Sequence, residues 1–133
     1  MNEPLHILLV DDQPDFTEVV AKRLARRSMV VDQAEDGGEA LDLLQSARYD
    51  AAVFDLRMPG VDGVQLLKAV KRGFPDMAVI LLTGHGSMHD AMRASEAGAF
   101  EFLSKPVSLE TLEETIRRAV SSGREPRRRA GRK

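Results

Sequence analysis

Short apolar runs alternate along this chain with segments in which apolar residues recur every three or four positions. The clearest runs are residues 5–10, 51–54, 78–82 and 100–103, and residues 29–31 form a shorter β-branched run. Runs of this kind are typical of buried strands, whereas the spacing between them is typical of amphipathic helices. Strands that alternate with helices predict βα units around a parallel sheet.

Helix start and stop signals divide the remaining sequence into five helices. Pro14 suits a first helical turn, Ser87 and Ser108 suit N-caps, and Gly98 suits the end of the fourth helix. Five βα units predict an α/β domain with a doubly wound, five-stranded parallel sheet of flavodoxin-like order 2-1-3-4-5 and five helices. The predicted inward faces are Phe16, Val19, Val20 and Leu24 in the first helix and Ala40, Leu41 and Leu44 in the second.

Composition and charge exclude several classes of protein. The 133 residues include no cysteine, so disulfides and thiolate metal sites are excluded, and no apolar run approaches the roughly 20 residues that cross a bilayer. We therefore expect a cytoplasmic protein without a membrane contact. Residues 121–133 hold six Arg or Lys against one Glu, a net charge of +5, which leaves −7 for residues 1–120 out of −2 overall. An acidic body is not typical of a nucleic-acid binder.

The charge asymmetry also predicts the domain organisation. Residues 1–120 are long enough for one domain with a single core. We expect residues 121–133 to form a basic tail that is disordered or begins a linker.

Polar residues follow the ends of four apolar runs. Asp11 and Asp12 follow the first run, Asp55 the second, Thr83 the third and Lys105 the fourth. In an open parallel sheet, ligands bind at the carboxyl ends of the strands, and strands one and three are neighbours in the predicted order. Three carboxylates that meet there repel one another unless a cation lies between them. Hard oxygen ligands favour Mg²⁺ as that cation.

These residues together resemble the receiver domain of two-component response regulators, a CheY-like fold, over residues 5–120. Each piece alone is common, but the ordered set at these spacings is specific. The segment from Thr83 to Pro106 is similar to receivers of nitrogen-regulation type. The matching pieces are Asp11-Asp12, Asp55 with Met58-Pro59-Gly60, Asp62-Gly63, Thr83-Gly84, residues 98–103 and Lys105-Pro106.

The resemblance implies a phosphorylation site at Asp55. This residue would take a phosphoryl group from a phosphohistidine on a sensor histidine kinase or a phosphotransfer protein. Mg²⁺ would be held by Asp12, by Asp55 and by the backbone carbonyl of Arg57, with Asp11 acting mostly through a water. Lys105 would bind one phosphoryl oxygen. The chain would then be a regulator rather than an enzyme, catalysing only its own phosphotransfer and a slow autodephosphorylation.

The resemblance also implies how phosphorylation is transmitted. Thr83 would donate its hydroxyl to a phosphoryl oxygen, and Phe102 would turn inward as the aromatic switch residue. The Lys105–Pro106 peptide bond is expected to be cis. The face formed by residues 87–120 would support a homodimer or dock an output partner, whose identity, like that of the kinase, the sequence leaves open.

Two residues are expected to tune the lifetime of the phosphoryl group. Arg57 lies two residues after Asp55, and His85 lies two residues after Thr83. Both side chains should border the path of the attacking water, and neither is well suited to orienting it. The phosphoryl group is therefore expected to be long-lived.

Three other functions are compatible with parts of this pattern. A flavin-binding protein of the same fold would need a Ser-, Thr- or Gly-rich loop after strand one, where this chain has Asp11 to Asp15 with three carboxylates. A phosphatase with an aspartyl nucleophile would need a second acid two residues after Asp55, where Arg57 stands. The third alternative is a docking module of the receiver fold that is not phosphorylated, and the complete site argues against it.

Overall fold

Strands and helices alternate along most of the chain. The computed structural model describes residues 3–58, 61–84 and 87–131, but not the side chains of Arg57, Val61 and residues 123–131. The strands are β1 Leu5–Val10, β2 Met29–Ala34, β3 Ala51–Phe54, β4 Arg57–Met58, β5 Val61–Asp62, β6 Ala78–Thr83 and β7 Glu101–Ser104. The helices are α1 Pro14–Ala25, α2 Gly37–Ser46, α3 Gly63–Gly73, α4 Met88–Glu96 and α5 Leu109–Gly131.

Five of the strands form one parallel sheet in the order β2-β1-β3-β6-β7. Counted among these five strands alone, the order is 2-1-3-4-5, so the predicted doubly wound fold is confirmed. β4 and β5 form a separate antiparallel hairpin, which the sequence did not predict. Its strands are two residues each, too short to show the alternation that marks a strand.

Helices cover both faces of the sheet. Successive residues of a strand point to opposite faces, so in β1 Leu8 joins one core cluster while Ile7 and Leu9 join the other. The first cluster lies beneath α2, α3 and α4, and the second lies beneath α1 and α5. Burial on both faces explains why these strands read as continuous apolar runs.

The predicted helix ends are confirmed at three positions. Ser87 Oγ accepts a hydrogen bond from the Asp90 N–H (3.1 Å), and Ser108 Oγ accepts one from the Thr111 N–H (3.0 Å). Gly98 follows α4 with φ +104°, a conformation that residues with a Cβ rarely adopt.

Two predicted inward residues are exposed. Val19 is 52% exposed and Leu41 is 37% exposed. In α1 the buried positions are Thr17, Val20 and Leu24. The buried face of α1 therefore includes Thr17, which a purely apolar pattern leaves out, and Val19 lies on the exposed side instead.

The last helix extends past the predicted domain boundary. The sequence predicted a disordered tail or a linker from residue 121, whereas the backbone of α5 is helical through Gly131. The role of residues 121–133 stays a prediction. Within the part of the chain that the structure describes, no helix is both long and apolar enough to cross a membrane.

Candidate functional site

Backbone hydrogen bonds at the carboxyl edge of the sheet bring the first site residues together. The Asp55 N–H donates to the Val10 carbonyl oxygen (2.9 Å), and the Asp11 N–H donates to the Ala34 carbonyl oxygen (3.0 Å). Asp11 and Asp55 therefore follow directly on the ends of β1 and β3. Chain connections leave these two neighbouring strands in opposite directions, which creates the crevice where doubly wound folds bind ligands.

Three carboxylates meet in this crevice. Asp11, Asp12 and Asp55 each offer a carboxylate oxygen, and these atoms lie within 4.8 Å of one another. Asp11 and Asp55 are 2% and 7% exposed, and Asp12 is half-buried. Oxygen donors grouped in this way are the ligands that hard divalent cations prefer. The cluster therefore fits a divalent cation.

Lys105 places one positive charge beside the carboxylates. Its Nζ lies 2.8 Å from Asp11 Oδ2, within hydrogen-bond distance, and 3.8 Å from Asp55 Oδ2. The Lys105 N–H donates to the Thr83 carbonyl oxygen (2.8 Å), which continues the pairing of β6 with β7. The Lys105–Pro106 peptide bond is cis. One ammonium against three carboxylates leaves a formal charge of −2 for a further cation to compensate.

Thr83 and Phe102 lie on the same face of the sheet. Thr83 ends β6 and is fully buried. Phe102 pairs in register with Leu81, two residues before Thr83, so the three side chains share a face by strand alternation. Phe102 is half-buried and packs against the cluster beneath α2, α3 and α4. The predicted switch residues thus lie on neighbouring strands and on the same face, offset by two residues in the strand register.

Two predicted roles concern groups that the structure does not describe. The side chain of Arg57 and the whole of His85 lie outside the described residues, so their proposed effect on lifetime stays a prediction. The backbone of Arg57 begins β4 just beyond the bend at Leu56. Its carbonyl oxygen stays a predicted ligand.

Gly63 was predicted to have no role beyond its place in the resemblance, but the structure shows why this residue is a glycine. A Cβ at this position would lie 2.7 Å from the Asp55 carbonyl oxygen and 2.7 Å from the Leu56 Cα. The Gly63 N–H donates to the Leu56 carbonyl oxygen (2.8 Å). The first turn of α3 therefore rests directly on the backbone that carries Asp55.

Gln13 and Phe16 also belong to the site, and sequence analysis missed both. Gln13 Oε1 lies 3.4 Å from Lys105 Nζ, and the ring centroid of Phe16 lies 4.3 Å from the same atom. Phe16 was predicted only as a core residue of the first helix. No pattern in the sequence links it to Lys105, because the two residues are far apart in the chain and meet only when the sheet places the end of β7 near the start of α1.

Comparisons with known proteins agree with this geometry. The family model of the response regulator receiver domain matches residues 7–117. The transcriptional regulatory protein GlrR of Escherichia coli is 41% identical over 115 residues, which cover 86% of this chain and 26% of that protein. The chain therefore spans about a quarter of the length of this curated relative.

Two solved structures are also similar. The beryllofluoride-activated NtrC4 receiver domain dimer superimposes with a TM-score of 0.85 at 35% identity, covering 89% of this chain and 98% of that one. A response regulator from Burkholderia pseudomallei, solved with a phosphorylated aspartic acid, a calcium ion and citrate, gives 0.82 at 29% identity, covering 89% and 69%.

The resemblance drawn from the sequence is confirmed, including its similarity to receivers of nitrogen-regulation type. Receiver domains are regulatory and respond to phosphorylation, so the chain is a regulatory module of a two-component system. With the family match over residues 7–117 and the acidic crevice at the predicted strand ends, the chain belongs to the response regulator receiver domain family.

Proposed function

We propose that Asp55 accepts a phosphoryl group from a phosphohistidine on a sensor histidine kinase or a phosphotransfer protein. The observation that carries this proposal is the grouping of the Asp11, Asp12 and Asp55 carboxylates beside the Lys105 ammonium. The phosphorylated aspartic acid of the similar Burkholderia regulator supports it. Of the three carboxylates, Asp55 is the one that follows β3, the central strand of the sheet, and it lies 3.8 Å from Lys105 Nζ.

The transfer requires little covalent chemistry from the protein. A carboxylate oxygen of Asp55 bonds to phosphorus while the bond from phosphorus to the histidine nitrogen breaks, and the imidazole leaves with that electron pair and takes up a proton. Positioning and charge compensation supply most of the catalysis in such transfers. Lys105 Nζ, 3.8 Å from Asp55 Oδ2, is close enough to contact a phosphoryl oxygen carried by Asp55.

The carboxylates also indicate the cofactor. Asp12, Asp55 and the backbone carbonyl of Arg57 would hold Mg²⁺, with Asp11 acting mostly through a water. When bound, the cation compensates negative charge on the carboxylates and on the phosphoryl oxygens. The protein's own part is to fix these oxygens at the edge of the sheet, with Asp11 oriented by its hydrogen bonds to Lys105 Nζ and to the Gln13 N–H.

Phosphorylation would then shift an existing conformational equilibrium. The Thr83 hydroxyl would move to a phosphoryl oxygen, and Phe102 would turn further into the space that Thr83 leaves. The face formed by residues 87–120 would transmit the change to a second copy of the receiver or to an output partner. Met88 and Met92 on this face are 78% and 57% exposed, which leaves apolar surface for such an interface.

The cellular response that the receiver controls would be a slow one, such as the control of transcription. The similar GlrR is a transcriptional regulatory protein, and the matched region is 26% of its length. A long-lived phosphoryl group suits that role. We therefore propose that the chain acts as the phosphorylated control module of such a regulator.

Incubation with Mg²⁺ and acetyl phosphate tests the phosphoacceptor directly. Intact-mass spectrometry should show one added phosphoryl group in the parent and none in Asp55→Asn, which keeps the shape of the side chain. Stable modification of Asp55→Asn at the parental yield would disprove the assignment. The unphosphorylated docking module would instead show no mass increase in the parent protein.

A further inference from the structure

The Lys105 ammonium lies over the ring of Phe16, at 4.3 Å from the centroid. Phe16 is in the first turn of α1, the helix that begins at Pro14, shortly after Asp11 and Asp12. Phe16 is half-buried and packs against the cluster beneath α1 and α5. Its ring therefore connects the core of the domain to the charged group of the site.

The start of α1 is arranged around the same ammonium. Gln13, the N-cap residue, makes no side-chain hydrogen bond to the helix, and its Oε1 lies 3.4 Å from Lys105 Nζ instead. The Gln13 N–H donates to Asp11 Oδ1 (3.0 Å), while Asp11 Oδ2 accepts from Lys105 (2.8 Å). Asp11, Gln13 and Phe16 thus contact Lys105 from one short stretch of chain.

A lysine side chain needs such contacts to stay in one place. Four rotatable bonds give a lysine side chain much rotamer freedom, and this entropy must be overcome to hold its ammonium beside a reacting group. Asp11 alone offers one hydrogen bond, which permits the stem to swing about that contact. An aromatic face within about 6 Å attracts the cation and limits its motion, more strongly where water is excluded. The Lys105 side chain is only 17% exposed.

We propose that Phe16 is a positioning residue for phosphotransfer: its ring holds the Lys105 ammonium between Asp11 and Asp55, where a phosphoryl oxygen will arrive. This inference rests on the proposed phosphorylation of Asp55. The first turn of α1 would then contribute to phosphotransfer as well as to the packing of the core. A leucine at this position would fill the core but would offer the ammonium no aromatic face.

Removal of the ring should therefore weaken the response to phosphoryl groups. An exposed to partly buried cation–π contact corresponds to about a two- to fivefold effect. In Phe16→Leu we expect the rate of phosphorylation by acetyl phosphate, and the affinity for beryllofluoride in the presence of Mg²⁺, to fall by about that factor. Phe16→Tyr keeps the aromatic face and should stay close to the parent in both measurements.

Val20→Ala provides the structural control. Val20 lies one turn further along the same face of α1, is buried in the same cluster, and has no part in the proposed site. It should lower the free energy of unfolding without changing the phosphorylation rate. A separate signal is expected from the ε-methylene protons of Lys105, because protons above an aromatic ring resonate upfield and Lys105 Nζ lies 4.3 Å from the Phe16 ring centroid. This upfield shift should be present in the parent and in Val20→Ala and lost in Phe16→Leu.

The outcomes separate the two proposals. If the parent gains a phosphoryl group on Asp55 but Phe16→Leu reacts at the parental rate, the positioning role is wrong and the proposed function stands. Equal losses in Val20→Ala and Phe16→Leu would also overturn it, since packing would then explain both. A parent that gains no phosphoryl group on Asp55 overturns the proposed function, and this inference with it.

Discussion

Arg93 on α4 is paired with Asp62, the residue that caps α3, with Arg93 Nη2 2.7 Å from Asp62 Oδ2. The other oxygen of Asp62 accepts a hydrogen bond from the Val64 N–H (2.9 Å), so one carboxylate both starts α3 and holds α4. Partial burial raises the pKa of Asp62, but the hydrogen bonds from Arg93 and Val64 outweigh it, and the pKa lies below its ordinary value of 3.8.

Loss of this pair should loosen α4. Among the described side chains of α4, only Asp90 and Ala94 are buried, so the helix has little apolar anchorage of its own. In Arg93→Ala we expect faster amide hydrogen exchange within α4 than in the parent, with little change elsewhere. Lys68→Ala on the exposed side of α3 also removes a positive charge and is the control. Unchanged exchange in Arg93→Ala would show that the ion pair does not restrain α4.

The stabilising effect of the Arg93–Asp62 ion pair should be lost only as the solution becomes acidic. Because the folded protein lowers the pKa of Asp62, its contribution is complete above pH 3.8 and is lost as the pH falls through the folded value. Amide exchange in α4, referred to exchange in β1, should therefore rise only in strongly acidic solution. A rise that begins near neutral pH would point to another group.

Tyr49 should make the domain less stable in alkaline solution. Burial first, and then its hydrogen bond to Asp32 Oδ2 (2.6 Å), raise the pKa of the Tyr49 phenol well above its ordinary value of 10.0. The unfolded chain loses this proton near pH 10 while the folded protein keeps it. The free energy of unfolding should therefore fall as the pH rises above about 10. Urea titrations of Tyr49→Phe, which has no such proton, should show a smaller decline.

Much of the fold could be predicted because it depends on local patterns. The parallel sheet follows from apolar runs that alternate with helical segments, and Ser87, Ser108 and Gly98 act within a few residues of their own positions. Exposure was less predictable: Val19 continues an apolar stripe, but Thr17 occupies the buried position. The apolar pattern counts a threonine as polar even where its hydroxyl is satisfied locally, here by the Pro14 carbonyl oxygen (3.1 Å).

The acidic site could also be predicted, whereas its supports could not. Asp11, Asp12 and Asp55 follow the neighbouring strands β1 and β3, so the sheet order alone brings them together. The contacts of Lys105 with Phe16 and of Arg93 with Asp62 join residues far apart in the chain. Both contacts depend on how α1 and α4 pack in the folded domain. Packing of this kind produces no repeating pattern in the sequence.

Asp12 should dominate the affinity for Mg²⁺. It is the most exposed of the three clustered carboxylates and the one that Lys105 does not contact in the described structure. We expect Asp12→Ala to weaken Mg²⁺ binding at least about tenfold in a fluorescence or calorimetric titration, since even outer residues of metal sites contribute that much. Asp15→Ala, which removes a nearby acidic group outside the cluster, serves as the control. An unaltered titration of Asp12→Ala would argue against this ligand.

The lifetime of the phosphoryl group should respond to Arg57 and His85. Water that hydrolyses the phospho-aspartate must approach in line with the bond from Asp55 to phosphorus, and these two residues follow Asp55 and Thr83 by two positions. Arg57→Asn combined with His85→Ala should speed the loss of phosphate, because an amide orients water and a small side chain admits it. The rate of phosphate loss can be followed by mass spectrometry over time. If the double variant loses phosphate no faster than the parent, these two side chains do not control the approach of water.

A single methyl group added at Gly63 should disturb the site. In Gly63→Ala the new Cβ would lie 2.7 Å from the Asp55 carbonyl oxygen and 2.7 Å from the Leu56 Cα, so the backbone that carries Asp55 must move. Overpacking of this kind costs about 1–3 kcal/mol, and here it also displaces the carboxylate of Asp55. We therefore expect a lower free energy of unfolding together with weaker Mg²⁺ binding.

Gly73→Ala is the matched control at the other end of the same helix. A Cβ there would meet no atom within 4 Å, so the substitution should gain about 0.5–1 kcal/mol from the better helix propensity of alanine. Opposite signs for Gly63→Ala and Gly73→Ala in urea unfolding would show that the close approach of α3 to Asp55, and not glycine as such, decides the effect. If Gly63→Ala were as stable as Gly73→Ala and bound Mg²⁺ like the parent, then α3 would not fix the position of Asp55.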